Sequence, residues 1–230
     1  MSKSKKLPAR VPEGEAIDDI PELSMDELSE SFKRRMKEYK QFVDLIINKL
    51  KLRNHLRVLE IGPGPGWITI LLAQRDPTLE IIGLEISQDM IRVANKNKKE
   101  EGVEENIKYI HGTAENMSLF EENSFDAVIS HDSLHHWDYP SKIFNEIARV
   151  LKNDGILCIE DGRRDIGVGA KIIFKLAKLF ISKTMSYYWK TSIMASYTPE
   201  EARNLIDETD LRNRYDVSAD LFDLTITSKS

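Results

Sequence analysis

The stretch Val58-Leu59-Glu60-Ile61-Gly62-Pro63-Gly64-Pro65-Gly66 is an apolar run that meets an acid and then three glycines spaced two apart. Such a run, ended at once by Gly and Pro, reads as a buried strand that breaks into a tight loop and opens a helix at Trp67. Glycine takes positive φ without steric cost and lets a ligand approach the backbone, so the loop suits a nucleotide-like cofactor. A dinucleotide-binding Gly-x-Gly-x-x-Gly turn would need glycine at position 67, where Trp67 stands.

The rest of the chain constrains what this loop can serve. At 230 residues, 41% of them hydrophobic, the chain can bury a substantial core and is expected to form one globular domain with additions. A formal charge of -5 offers no overall attraction to nucleic acid or to an acidic membrane. The single cysteine, Cys158, excludes an intramolecular disulfide and suits a reducing compartment. The N-terminal residues lack the apolar core of a signal peptide, and no long apolar run marks a membrane span, so a cytoplasmic protein without membrane insertion is expected.

Residues 1–24 contain few apolar side chains and read as a loose arm. Residues 25–230 form the expected domain. From Asp26, Leu28, Phe32, Met36, Tyr39, Val43, Ile46 and Leu50 recur in steps of three and four, the pattern of one face of a long helix that Ser24 can cap. Strands and helices then alternate, the signature of a parallel sheet covered on both faces. The elements read as helix 67–75, strand 79–84 with Glu85 at its end, helix 88–99, strand 107–111, strand 125–129, helix 140–151, a turn at Asn153-Asp154-Gly155 and strand 156–160. Thr198-Pro199 starts a further helix, and strands near 215–217 and 221–227 close the chain through a hairpin at Ser218-Ala219-Asp220.

Chemistry collects where the strands end. An acid at the position of Glu85 can accept two hydrogen bonds from a ribose diol, with Ile86 beside it as an apolar surface for a base. After strand 125–129, the loop Ser130-His131-Asp132-Ser133-Leu134-His135-His136-Trp137 offers His131, Asp132 or His135 as a general base. For His135, packing and hydrogen bonding beside the cofactor stand as the alternative. A metal on His131, Asp132 and His135 is disfavoured, since a turn fixes no helical ligand spacing and no further Cys/His cluster supports it. His136 is read as structural or exposed.

Between Asp161 and Thr198 lies a segment that the core fold does not require. Ile172, Ile173, Leu176, Leu179 and Phe180 lie on one broad helical face beside Lys171, Lys175 and Lys178, followed by Met185, Tyr187, Tyr188, Trp189 and Met194. Residues 163–197 are expected to form a lid or pocket wall, with a homodimer face or a plain second-layer helix as alternatives. Arg163, Arg164, Lys183 and Lys190 make the segment locally basic, against Asp165, which leaves peripheral membrane contact open.

Taken in order, Glu60-x-Gly62-x-Gly64-x-Gly66, Glu85, Gly112-Thr113-Ala114, Leu134-His135-His136-Trp137 and Leu151-Lys152-Asn153-Asp154-Gly155 resemble the landmarks of class I S-adenosylmethionine-dependent methyltransferases. The small-molecule type related to the quinone-biosynthesis and sterol enzymes is the nearest likeness, over residues 56–160. The Asn/Asp-Pro-Pro-aromatic segment of enzymes that methylate nucleic-acid bases is missing after the fourth strand. The resemblance implies a Rossmann-like α/β fold, a seven-stranded mostly parallel sheet of order 3-2-1-4-5-7-6 with an N-terminal helical extension. It implies S-adenosyl-L-methionine as cofactor and methyl transfer to a small molecule, apolar or aromatic. A non-catalytic cofactor- or partner-binding protein of the same fold is the alternative.

By the same resemblance, Glu60, Gly62, Gly64 and Gly66 would border the methionyl part, Glu85 would hold the ribose, and Ile86 and Ala114 would flank the adenine. Ser130 would contact the amino-acid end through its carbonyl. Thr113 stands where the family usually has an acid, so Thr113, Glu115 or water is left to meet the adenine amine. Arg34, Arg35 and Tyr39 are candidates for the methionine carboxylate or the substrate, against a plain reading of Tyr39 as core and the arginines as solvated.

Overall fold

The computed structural model describes residues 7–12, 31–50, 55–177 and 183–229. Ser24, Leu28, Lys178, Leu179 and Phe180, and the side chains of Lys183 and Met185, lie outside this description.

Residues 31–33 are helical and a turn at 34–35 precedes helix α1, Met36–Leu50. The expected apolar stripe is the one buried: Tyr39, Phe42, Val43, Ile46 and Leu50 are covered, with Phe32 and Met36 packed against the same cluster. The helix expected to run unbroken through Arg34 and Arg35 therefore turns there.

Seven strands, β1 (Arg57–Ile61), β2 (Glu80–Glu85), β3 (Ile107–His111), β4 (Phe125–His131), β5 (Leu151–Gly162), β6 (Tyr215–Ala219) and β7 (Asp223–Ser228), form one sheet of order β3-β2-β1-β4-β5-β7-β6. β7 runs antiparallel to β5 and β6, and the other neighbours are parallel. Helices α2 (Trp67–Arg75), α3 (Gln88–Glu100) and α4 (Pro140–Val150) connect the parallel strands. Chain order reverses on either side of β1, so the carboxyl ends of β1 and β4 form the crevice in which open α/β sheets bind ligands.

Side chains alternate between the faces of a strand. Leu59, Ile61, Val128, Leu157 and Ile159 join the core under α4, while Val58, Ala127, Ile129, Ile156 and Cys158 join the core under α1 and α2. This alternation carries into the ionisable residues at the strand ends. Glu60, His131 and Glu160 fall on the face covered by α1 and α2, whereas Asp161 falls on the other.

The turn expected at Asn153-Asp154-Gly155 lies inside β5, which is continuous over Leu151–Gly162. Phe125 pairs with Leu151 and Ala127 with Ile156, so the three residues form a bulge rather than a strand boundary. A side chain at Gly155 would come within 2.6 Å of Leu151 Cδ1 and 2.9 Å of the Lys152 carbonyl oxygen, so the excursion is tight enough to require glycine.

The segment after β5 folds into α5 (Val168–Ala177) and α6 (Lys183–Ala195), followed by α7 (Pro199–Asp207). Thr198 caps α7 reciprocally: Glu201 N donates to Thr198 Oγ1 at 3.1 Å and Thr198 N donates to Glu201 Oε2 at 2.8 Å. Arg163 pairs with Asp165, and Arg164 bonds the Ser196 carbonyl and Glu201, so these two cations are committed within the protein.

Candidate active site

The loop after β1 is built as the sequence reading anticipated. Gly62, Gly64 and Gly66 all have positive φ (69°, 52° and 82°), and Gly66 is the residue before α2. Two of the glycines serve different ends. A side chain at Gly66 would overlap the hydroxyl of Tyr109, which is bonded to Thr69 Oγ1 at 2.6 Å, whereas a side chain at Gly64 would meet nothing within 4 Å. Gly66 is thus needed for packing, and Gly64 keeps open the space beside the loop.

That space is a cavity of about 310 Å³, at the small end of the range for small-molecule sites. The loop contributes Gly62 and Gly64 to its wall, β1 and β2 contribute Glu60 and Glu85, Ile86 follows β2, and the turn after β3 contributes Thr113, Ala114 and Glu115. Tyr39, His131 and Asp132 also line it. Of the residues singled out from the sequence for the site, Arg34, Arg35, Gly66, Ser130 and His135 do not.

Glu85 closes the rim. Its Oε2 accepts the Gly64 N–H at 3.0 Å and its Oε1 accepts the Ser87 N–H at 2.9 Å, which fixes the carboxylate while leaving each oxygen a further lone pair. Ile86 is 71% exposed although apolar, a surface available to a planar ligand. Thr113 Oγ1 accepts the Glu115 N–H at 3.2 Å, which shapes the turn that carries Ala114.

Charge concentrates on the floor. Glu60 is buried, its Oε2 has no hydrogen-bond partner, and burial pushes its carboxyl up to about 8, partly opposed by His131. The imidazole of His131 lies 3.2 Å from Asp132 and 3.3 Å from Glu160, edge-on to the rings of Tyr39 and Phe42. Burial disfavours the imidazolium, but the two carboxylates prevail and raise His131 to about 10. Asp132 is held far below the usual carboxylate range: His131 and Arg35 outweigh its desolvation. Arg35 pairs with both Asp132 and Glu38, so its guanidinium is engaged, and Arg34 is exposed.

His135 faces away. Its Nδ1 is hydrogen-bonded to Asp161 Oδ1 at 2.7 Å, and its backbone N–H donates to Asp161 Oδ2 at 2.9 Å, all within a buried pair. The exposed neighbour His136, its ring centre 4.0 Å from that of His135 and tilted by 40°, lines the cavity instead, together with Trp137, Asp138 and Phe32. Ser130 is fully buried and its hydroxyl donates to the Ile61 carbonyl at 2.9 Å. Strand alternation would have revealed Asp161 as the partner of a residue on the far face, since it follows Glu160 directly.

Arg10 is a contributor that no sequence pattern announces. Its guanidinium donates to the Ala195 carbonyl at 2.5 Å and to the His135 carbonyl at 2.8 Å, and lies 4.3 Å from the centre of the Tyr197 ring. Val11 N adds a bond to the Met194 carbonyl at 3.1 Å. A short piece of the expected loose arm is therefore seated where α6 meets the loop after β4. None of the described residues of 163–197 lines the cavity; the segment meets the loop after β4 through this junction. Among the described residues no group of three or more His, Cys, Asp or Glu is arranged to hold a metal ion.

Comparison with known proteins matches residues 59–159 to a methyltransferase domain family. An uncharacterised methyltransferase, YcgJ, of Bacillus subtilis is 37% identical over 117 residues, 51% of this chain and 45% of the relative. A demethylmenaquinone methyltransferase of Thermotoga maritima is 30% identical over 161 residues, 70% of this chain and 61% of the relative. The chain thus spans about half the length of these curated relatives. A Methanococcus maripaludis structure described as an S-adenosylmethionine-dependent methyltransferase superposes with a TM-score of 0.68 over 93% of this chain and 97% of its own, at 24% identity, a likeness of fold. Fold, glycine loop and domain match agree: residues 59–159 match a methyltransferase domain, set in a sheet of the order expected from the resemblance to the S-adenosylmethionine-dependent class.

Proposed function

We propose that the protein is an enzyme that transfers a methyl group from S-adenosylmethionine to a small-molecule acceptor. One observation carries the reading: a cavity beside an open glycine loop has a rim carboxylate, Glu85, and a buried, unpartnered carboxyl oxygen, Glu60 Oε2, on its floor. A ligand with a diol at one end and a cation at the other matches both, as the cofactor of this class does. When bound, that cofactor supplies a methyl group on a sulfonium, already activated toward nucleophiles.

The chain's own residues then have distinct tasks. Glu85 would accept the ribose hydroxyls on its free lone pairs, and Gly64 would allow the backbone close approach. Ile86 and Ala114 would border the adenine, with Thr113 and Glu115 at its edge. Glu60 would face the ammonium group and ionise in its field. Gly62 and Tyr39 wall the same end, Gly66 supports the loop through packing, and Ser130 anchors β4 to β1 through the Ile61 carbonyl.

For the acceptor, Phe32 and Trp137 give the mouth an apolar and aromatic lining, which supports an apolar or aromatic molecule. Holding two reactants in line can itself lower a barrier by about 7 to 11 kcal/mol, so a dedicated base is optional. His131, kept protonated between two carboxylates, is unsuited to accept a proton at neutral pH. Asp132, held ionised far below the usual carboxylate range by His131 and Arg35, is too weak a base for the task, which leaves His136 as the cavity-lining imidazole in position to take one.

Calorimetric titration with S-adenosylmethionine and S-adenosylhomocysteine tests the reading. Micromolar binding of both supports it and justifies a screen of apolar and aromatic acceptors with labelled methyl donor. No binding of either refutes it, and binding without turnover on any acceptor class favours a non-catalytic role.

A further inference from the structure

We propose that α5 is an interfacial helix that seats the protein on an anionic lipid surface. The observation is an exposed apolar arc with a basic flank. Val168 is 76% exposed, Ile172 55%, Ile173 49% and Leu176 57%, and at 100° per residue these four side chains cover one continuous side of the helix. Lys171 and Lys175 adjoin the arc at the Val168 edge, and Val168–Ala177 contains no acid.

The inward side of α5 is already satisfied. Ala170 is fully buried, and Phe174 packs edge-on against Trp189 of α6 at 5.5 Å and against Phe222 at 5.4 Å. The outward arc is therefore surplus to the protein's own core. Leu221, 50% exposed and next to Phe222 in the tip between β6 and β7, extends apolar surface beside the helix. The acid of that tip, Asp220, is used internally, its Oδ1 accepting the Phe222 and Asp223 N–H groups at 2.8 and 2.9 Å.

Charge selects the occupant. The whole chain is negative, at -5, whereas α5 carries two lysines and no acid, so an anionic surface attracts α5 and repels the remainder, which orients the molecule. A second copy meeting face to face would bring Lys171 and Lys175 against their own equivalents, a like-charge arrangement. The ten-residue helix is about 15 Å long, suited to lie in the headgroup region. No helix among the described residues is long and apolar enough to cross a membrane. Through Trp189, α6 and the Arg10 junction, the lipid-facing helix connects to the loop that borders the cavity. The inference stands apart from the methyltransferase reading and is tested without cofactor.

Flotation of the full chain with phosphatidylcholine vesicles, and with phosphatidylcholine vesicles containing phosphatidylglycerol, decides the matter. The protein is expected to float with the anionic vesicles, weakly with the neutral ones, and less as salt is raised. Ile172→Glu with Leu176→Glu should reduce flotation about tenfold or more, and each of Lys171→Gln and Lys175→Gln about fivefold. All substituted side chains are exposed, and unchanged Tm and circular dichroism verify folding. No flotation, equal binding to neutral and anionic vesicles, or flotation that survives both sets of substitutions overturns the proposal. A loss of mass in sedimentation velocity on Ile172→Glu with Leu176→Glu, without vesicle binding by the parent, would identify the face as a contact between copies and likewise overturn it.

Discussion

Glu60 and His131 project from the neighbouring strands β1 and β4 onto one face of the sheet, an unpartnered carboxyl oxygen in the company of a buried imidazole. Both groups hold protons more tightly in the folded protein than the free side chains do. Glu60 rises from 4.5 to about 8, and His131 from 6.5 to about 10. A raised folded-state value gives stability that is fully present below the unfolded pKa and lost as pH climbs through the folded one. Between pH 6.5 and 8 the two windows overlap. The Tm of the ligand-free protein should fall steadily from pH 6.5 to pH 9, and Glu60→Gln should flatten that slope below pH 8. A Tm that rises over this range would contradict the assignment.

Cofactor binding should carry the opposite requirement, an ionised Glu60. Titration of S-adenosylhomocysteine in two buffers of different ionisation enthalpy at pH 7 should report proton release on binding, and Glu60→Gln should abolish the release.

Glu85→Ala should weaken S-adenosylhomocysteine binding about tenfold or more, from loss of charge-assisted bonds and of the grip on the Gly64 N–H. Calorimetry provides the measurement. Unchanged affinity would remove Glu85 from the site.

Gly64→Ala and Gly66→Ala separate function from folding. Each forces a non-glycine residue to positive φ, at about 1–2 kcal/mol, but only Gly66→Ala also collides with Tyr109. Gly66→Ala should therefore lower Tm more, and Gly64→Ala should lose more cofactor affinity for its loss of Tm.

Asp161→Ala should act on stability, because its carboxylate serves the His135 ring and backbone rather than the cavity. Leaving the buried His135 groups unpartnered should cost about 1–3 kcal/mol in denaturant unfolding. His136→Ala should leave stability unchanged within error and raise KM for the acceptor.

The reading of the chain reached furthest where local rules decide structure. Helix Trp67–Arg75 and strand Ile107–His111 have the expected ends because glycine loop, apolar run and breaker residues mark them. Strand order followed from the family landmarks, and the Thr198 cap from its own side chain. What was hidden depends on rotation and on distant partners. The short turn Leu134–His136 swings His135 inward and His136 outward, and no periodicity over three residues encodes that. Arg35 was legible as a cation near the site, but its engagement by Asp132 needs residues 97 positions apart to meet. Arg10 lies in a stretch without apolar pattern, so its seat on Ala195 and His135 could not be read at all.

The bulge in β5 bears on how such a site could diverge. Glu160 and Asp161 are adjacent in sequence yet serve opposite faces, one beside His131 and the other holding His135. The three-residue excursion before Ile156 sets which acid goes where. If pairing beyond it slipped by a single residue, every side chain from Ile156 onward would change faces, and both histidines would exchange or lose their acids at once. Insertions and deletions at Asn153-Asp154-Gly155 are therefore tolerable only where the loop absorbs them, which makes this distant surface bend a register lock on the chemistry of the site.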